Sequence, residues 1–439
     1  MTGIKKEQVS IAPLVTFRIV FGLLMFFSIL RFWWRGWVTS VYVTPTFHFT
    51  YWGFEWVKPL GSVGMHLLFL CMALSALLIT LGLFYRIAAT LFFLSFTWVE
   101  LIDVTTYLNH YYFISLVAFL MIWLPANRNY SLDIYFHPEK RQTQAPAWTI
   151  AILRFQLAVV YIFAGLAKVN ADWLIDAEPM RTWLPSKSHL PFVGRYMYEV
   201  WVAYLFSWFG AIYDLFIVFF LINRKTRPVA YLFVLVFHLS TAVFFPGIGM
   251  FPYVMMTASL IFFSGDFHEK LLSRLPFYRT SASLPISYSY HPLRAFAIAV
   301  YILLQLIIPL RFLLYPDHLF WSEEGYRFSW RVMLMEKSGI AYFTVRDKIT
   351  HGSYEVDNKQ FLTNLQEKMM STQPDLILKY AAYLHNEYKK KGINDPEVYG
   401  EVYVSLNGQR SKLFIDSTVN LAAQQLKWGH YNWILPYNR

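Results

Sequence analysis

The chain has 439 residues, of which 56% are hydrophobic, 20% aromatic and only 15% charged, against a charged share of about 25% in ordinary soluble domains. That balance excludes a soluble globular enzyme and indicates a protein whose main solvent is the bilayer. The net charge of +11 does not point to nucleic acid, because the basic residues are spread between apolar runs and are not gathered on one face among aromatics.

Residues 1–11 carry Lys5 and Lys6 ahead of an apolar run, as a signal peptide does. That run contains Arg18 and ends in Arg31, Phe32, Trp33 and Trp34 without a small-residue cleavage site, so it reads as a retained first span. Nine stretches have the length and composition of transmembrane helices, about 12–34, 62–84, 87–106, 109–125, 148–168, 199–222, 228–245, 248–264 and 294–315. The seventh and eighth are short and divided only by Pro246 and Gly247, which suits either two spans or a broken, re-entrant pair. Cys71, the single cysteine, lies inside the second and excludes an internal disulfide.

Lysine and arginine collect in alternate loops, at Lys5/Lys6, Arg86, Arg128/Lys140/Arg141, Arg224/Lys225/Arg227 and Lys270/Arg274/Arg279. The positive-inside rule then places the N-terminus in the cytoplasm and, for an odd number of spans, the C-terminus outside. The opposite loops at 35–61 and 169–198 are long and aromatic, as anchoring belts at the headgroups are.

After Tyr315 the long apolar runs end. Residues 341–346 and 402–406 alternate like strands, 361–391 has a helical pattern with a charged end, and Asn407 and Gly408 read as a hairpin turn. The expected architecture is an all-α polytopic membrane domain of about nine transmembrane helices at 1–315, followed by a small extracytoplasmic α+β domain at 316–439.

Ionisable residues inside spans are the chemical pointers, because each must be paired, hydrated or neutralised. They are Arg18, Glu100, Asp103, Arg154, Lys168, Asp214 and His238. Three cations against three carboxylates fit a set of buried ion pairs that fix helix packing. Lys168 closes an apolar run just before Asp172 and Trp173, near the outer interface, although an isolated lysine at the bilayer centre costs roughly 2.5–3.5 kcal/mol. Two readings stand: a desolvated amine that acts as a base, or a side chain that snorkels to water. His238 sits mid-span as a helix-to-helix hydrogen-bonding group, and His110 at the outer start of the fourth span. No metal site is expected, since zinc spacing and HExxH are missing, and no Gly-rich phosphate loop or GxSxG elbow occurs.

AGLAKVNADW at 164–173 resembles the AGxKKLDADW stretch of vitamin K-dependent γ-glutamyl carboxylase and of bacterial proteins that share its HTTM-type transmembrane domain. Further matching stretches follow in the same order, among them FRIVFGLLM at 17–25, ANRNYSLD at 126–133, IGMFPYVM at 248–255, YRFSW at 326–330 and YVSLN at 403–407. The resemblance implies an integral membrane enzyme, in a bacterial inner membrane, that couples oxidation of a reduced naphthoquinone by O2 to carboxylation of glutamate by CO2. Reduced vitamin K or menaquinol would be the cofactor, with no metal, and a peptide or protein glutamate the substrate. Lys168 takes the place of the family's base. Asn127, Arg128, Asp172, Trp173 and His238 would line or support the quinone pocket, and Tyr326 and Trp330 match the glutamate-binding stretch. The chain departs from the vertebrate pattern at Ala167, where a first lysine is expected, at Arg128 and Phe312, where histidines are, and at Thr241, where an asparagine is. These departures keep open a quinol oxygenase or epoxidase without carboxylation, and a non-catalytic quinone- or lipid-binding membrane protein.

Overall fold

The computed structural model describes residues 8–275 and 291–437; Lys5, Lys6 and Arg279 of the charge pattern lie outside the described residues. Nine apolar helices follow the nine expected segments: α1 (Ala12–Trp34), α2 (Gly61–Leu81), α3 (Tyr85–Ile102), α4 (Asn109–Trp123), α5 (Ala147–Ala167), α6 (Val200–Ile222), α7 (Arg227–Phe244), α8 (Phe251–Ala258) and α9 (Pro292–Ile307). Seven of these, α9 being extended by a 3-10 turn to Leu314, run 18–23 residues and are long and apolar enough to cross a membrane, at 1.5 Å rise per residue. The other two, α4 and the Phe251–Phe262 segment that contains α8, are shorter.

The break at Pro246 and Gly247 is a 3-10 turn, Pro246–Ile248, followed by Gly249 in a left-handed conformation (φ 69°). Beyond it the chain returns to the end of the bundle where α1 begins, because Glu269 Oε1 accepts a 2.7 Å hydrogen bond from Ser10 Oγ. The seventh and eighth segments are therefore two passes rather than one re-entrant loop. At that same end β1 (Gln8–Ser10) and β2 (Gln144–Pro146) form an antiparallel ribbon between the starts of α1 and α5.

Of the expected intramembrane ion pairs only one forms among the described residues, that of Lys168 with Asp214; the other charges are met differently. Arg154 donates to the carbonyls of Ile261 (3.0 Å) and Phe262 (3.3 Å), where the helix that begins at α8 ends. Arg18, fully buried, donates to the Tyr130 carbonyl at 2.5 Å. Asp103 accepts from the Thr105 amide (2.9 Å) and from Gln366 Nε2 (2.9 Å). Backbone groups without partners, at helix ends for Arg154 and Asp103 and in the loop at Tyr130 for Arg18, are as available to a charged side chain in a low-dielectric interior as a second charge is.

The C-terminal part is an antiparallel sheet in the order β4 (Ser353–Val356), β3 (Lys337–Arg346), β5 (Glu397–Leu406) and β6 (Lys412–Leu413). Period-two alternation turns Val398, Val402 and Val404 of β5 inward. They meet Leu376, Ile377, Tyr380 and Leu384 on the apolar stripe of α11 (Pro374–Lys390), which follows α10 (Asn364–Met370). Asn407 and Gly408 both adopt left-handed φ (48° and 71°), yet the ladder begins only at Val404 and Lys412, so the loop is longer than a two-residue hairpin. The Asn407 side chain is used elsewhere, as described below. This part packs on the bundle end that carries Lys168, with Trp183 Nε1 donating to Glu336 Oε2 at 2.5 Å.

α5 and α6 approach each other closely at Gly165. A Cβ on Gly165 would lie 2.6 Å from the Leu215 amide nitrogen, so only glycine lets the two backbones approach, as small residues do in membrane bundles. Gly165→Ala is expected to lower stability by about 1–3 kcal/mol, the usual cost of overpacking. Gly247→Ala, which meets nothing within 4 Å, serves as the control in thermal denaturation of the purified protein.

Candidate functional site

Lys168 is the residue that closes α5. Asn170 Nδ2 donates to the Ala167 carbonyl (2.9 Å), and Asn170 Oδ1 accepts from the Trp173 amide (3.0 Å), which caps the short helix Ala171–Leu174. This turn brings Trp173 beside α6, where its Nε1 donates to the Ser207 carbonyl at 2.6 Å. The indole ring then lies 5.3 Å from Lys168 Nζ.

The amine itself points at α6. Lys168 Nζ lies 2.7 Å from Asp214 Oδ2 and 3.2 Å from the Ala164 carbonyl, and the two charged side chains are only 7% and 8% exposed. Lys168 is thus neither an isolated amine nor a snorkelling one. Its partner is Asp214, and not the neighbouring Asp172, whose Oδ2 accepts from Asn407 Nδ2 at 2.9 Å.

The pair forms one wall of a cavity of about 350 Å³ between α5, α6, α7 and α8. Phe206, Phe209, Phe237, Phe245 and Phe251 make much of the remaining surface, with Tyr161, Ser240 and Thr241 as further polar groups and Val332 and Met333 contributed by the C-terminal part. The lipid-side wall between α6 and α7 is formed by Leu205, Phe209 and Val236, which are 55%, 39% and 50% exposed. Behind the opposite wall, Tyr161 Oη is hydrogen-bonded to His238 Nε2 (3.1 Å) and Ser259 Oγ (3.2 Å). An apolar chamber of this size with a few convergent polar groups is the usual form of a small-molecule site.

The structure brings Lys168, Trp173 and, one layer back, His238 together. It separates Asn127 and Arg128 from them. Asn127 Nδ2 donates to Asp133 Oδ2 (2.7 Å), whose other oxygen accepts from the Phe84 amide, and the Arg128 carbonyl accepts from Gln142. Both residues therefore sit at the far end of α5, whose 21 residues span about 30 Å, and so they do not line the cavity. Tyr326 packs beside Phe320, and Trp330 stacks on Tyr112 with ring centroids 4.9 Å apart. It is the residues just after them, Val332 and Met333, that reach the cavity. Sequence reasoning also missed the pairing of Asp214 with Lys168 and the part played by Tyr161. Asp214 carried a signal as an intramembrane carboxylate, but Tyr161 carried none.

Away from the cavity, the one grouping with metal-ligand spacing among the described residues is Asp317, Glu324 and His430. There Glu324 is already engaged by His430 Nδ1 (2.8 Å) and the Tyr431 amide (2.9 Å).

These features define an integral membrane protein whose bundle encloses a buried amine–carboxylate pair in an apolar chamber closed by a small α+β part. Residues 6–267 match the HTTM domain family, and residues 290–439 match the family described as vitamin K-dependent gamma-carboxylase, lumenal domain. The chain belongs to the vitamin K-dependent gamma-carboxylase family and is a γ-carboxylase-like membrane protein of the carboxylase, lyase-type class. No solved structure matches it.

Removal of one member of a buried ion pair typically costs 3–5 kcal/mol, whereas replacement of both by apolar side chains is often neutral. Lys168→Met and Asp214→Leu alone are expected each to destabilise the protein by about that amount, and the double variant to recover most of the loss. Thermal denaturation of the three proteins in detergent measures it; additive losses in the double variant would mean that the two residues do not act as a pair.

Proposed function

We propose that the protein is a γ-glutamyl carboxylase in which Lys168 Nζ is the base that receives a hydroxyl proton from a reduced naphthoquinone, vitamin K hydroquinone or menaquinol, held in the aromatic chamber. The observation that carries this reading is the Lys168–Asp214 pair, 2.7 Å apart and facing an otherwise apolar cavity. When bound, the quinol supplies, with O2, the strong base that removal of a glutamate γ-proton requires and that no side chain can provide.

The residues of the chain divide the remaining work. Ammonium–carboxylate and amine–carboxylic acid forms of the pair have the same net charge, and an interior without water disfavours the separated charges. In the neutral form Nζ has a free lone pair directed by its contacts with Asp214 and the Ala164 carbonyl. Asp214 orients the amine, with its Oδ2 2.7 Å from Nζ. The phenylalanine walls suit a flat fused ring and exclude water from the carbanion stage, where a stray proton would end the reaction before CO2 is captured. The part-exposed wall at Leu205, Phe209 and Val236 suits a ligand that arrives from the bilayer. A glutamate substrate would come from the side on which the C-terminal part lies; the alternation of basic loops supports reading that side as extracytoplasmic, with the N-terminus in the cytoplasm, and the membrane as a bacterial inner membrane.

Purified protein given a reduced naphthoquinone, O2, labelled bicarbonate and a short Glu peptide is expected to fix label and form quinone epoxide. Lys168→Ala is expected to abolish both products. Epoxide without fixed CO2 would select the oxygenase reading, and unchanged activity in Lys168→Ala would remove the lysine from the mechanism.

A further inference from the structure

Residues 184–199 lead from the loop after Lys168 into α6, a membrane-spanning helix that begins at Val200. The segment is folded on itself and pinned at both ends, because Leu184 and Met197 are buried in the core shared with the C-terminal part. The Gly194 amide donates to the Leu190 carbonyl (2.9 Å) and the Met197 amide to the Gly194 carbonyl (3.1 Å). A Cβ on Gly194 would run into the Ser188 carbonyl, so only glycine permits this crossing. The fold of the segment holds Phe192 at its tip, 95% exposed and with a left-handed φ of 64°, a conformation that is costly for a bulky side chain.

Val193, Tyr196 and Tyr198 are exposed beside the tip, and the Tyr196 ring meets Trp201 of α6 edge-on, with centroids 6.4 Å apart. Trp201, Leu205, Trp208 and Ile212 then recur at helical spacing as the exposed apolar face of α6, and Leu205 belongs to the lipid-side wall of the chamber. The surface of the segment is therefore continuous with one that the bilayer covers. Its charge has a single sign. Residues 185–198 contain Lys187, His189 and Arg195 and no Asp or Glu. Neither Lys187 nor Arg195 has a carboxylate partner among the described residues, and Arg195 lies over the Tyr196 ring at 4.6 Å.

We infer that residues 185–198 form an interfacial foot, which inserts Phe192 and Val193 into the leaflet on the side of the C-terminal part and holds anionic phospholipid phosphates with Lys187 and Arg195. Removal of an apolar side chain from water is favourable in proportion to its area, and the leaflet is the apolar phase within reach of a segment that ends where a span begins. Tyrosine and tryptophan belong at the headgroup level, as Tyr196, Tyr198 and Trp201 would then stand. Lysine and arginine set among aromatics are the usual polar face of an element that lies in the membrane surface and prefers anionic lipid. A peptide or a second chain on this surface would have to displace lipid from a face that α6 shares with the bilayer. The inference does not depend on the carboxylase reading.

The test uses the full-length protein in lipid nanodiscs, with Cys71→Ser to remove the single cysteine and a nitroxide label on Phe192→Cys. Collisions of the label with O2, which concentrates among acyl chains, are expected to exceed those with a water-soluble nickel chelate. The label should thus behave as one on Leu232→Cys, on the exposed face of α7, and unlike one on Lys389→Cys, at the exposed end of α11. In discs of mixed phosphatidylglycerol and phosphatidylcholine, spin-labelled phosphatidylglycerol should be retained at the protein in preference to phosphatidylcholine. Lys187→Gln with Arg195→Gln should lower that preference, by up to about fivefold for each charge removed. All variants should melt in detergent as the Cys71→Ser parent does. A Phe192→Cys label that meets the nickel chelate as freely as Lys389→Cys would overturn the insertion. Shielding from both reagents only when two copies share a disc would also overturn it and give the surface to a second copy. An unchanged lipid preference in the double variant would overturn the headgroup assignment.

Discussion

The 2.7 Å contact between Lys168 and Asp214 is the interaction on which the rest of the membrane bundle is arranged. Either group alone would have to be hydrated or neutralised at that depth. Together they can remain dry, provided that two helices hold them within hydrogen-bond distance. Gly165 supplies the close approach of α5 and α6, Asn170 ends α5 so that the lysine is its last residue, and Trp173 covers the amine by bonding the Ser207 carbonyl. Each of these residues is ordinary in isolation. They share one consequence, which is that the charged pair meets an aromatic chamber and not lipid.

The α+β part is more than an appendage to this arrangement. It contributes Val332 and Met333 to the chamber, and Asn407 bonds Asp172 one turn beyond the lysine. Asp103, at the end of α3, is likewise tied to Gln366 of α10. Loss of these contacts would open the chamber at its polar end even if every membrane helix stayed in place. The left-handed residues at 328, 330 and 333 lie in the segment before β3, which hydrogen bonds to Tyr107 and Asn109 hold on the bundle.

What was legible in the amino-acid order follows from the range of each force. Hydropathy is a local sum over about 20 residues, so the helices α1 to α9, with the 3-10 turns that extend α8 to Phe262 and α9 to Leu314, appear where the apolar runs do, within a few residues at each end. Strand alternation is equally local, and β3 and β5 fall on the two segments that show it, while the short exposed β4 shows no such pattern and was missed. Lys168 stood out because its cost in a membrane is intrinsic to the residue. Its partner did not, because Asp214 is 46 positions away and three intramembrane carboxylates were equally eligible. Asn127 and Arg128 were placed near the lysine by likeness of motif, which carries no coordinate along the membrane normal.

The part-exposed wall between α6 and α7 means that the two organic substrates of the proposed reaction would be counted in different units. A prenylated quinol would reach Leu205, Phe209 and Val236 from within the leaflet, where its effective concentration is a mole fraction of lipid. The peptide would arrive from water, where concentration is molar. Dilution of the membrane with empty lipid would lower the supply of one reactant and leave the other untouched, so the enzyme would respond to the composition of its bilayer as a dissolved catalyst responds to the composition of its buffer.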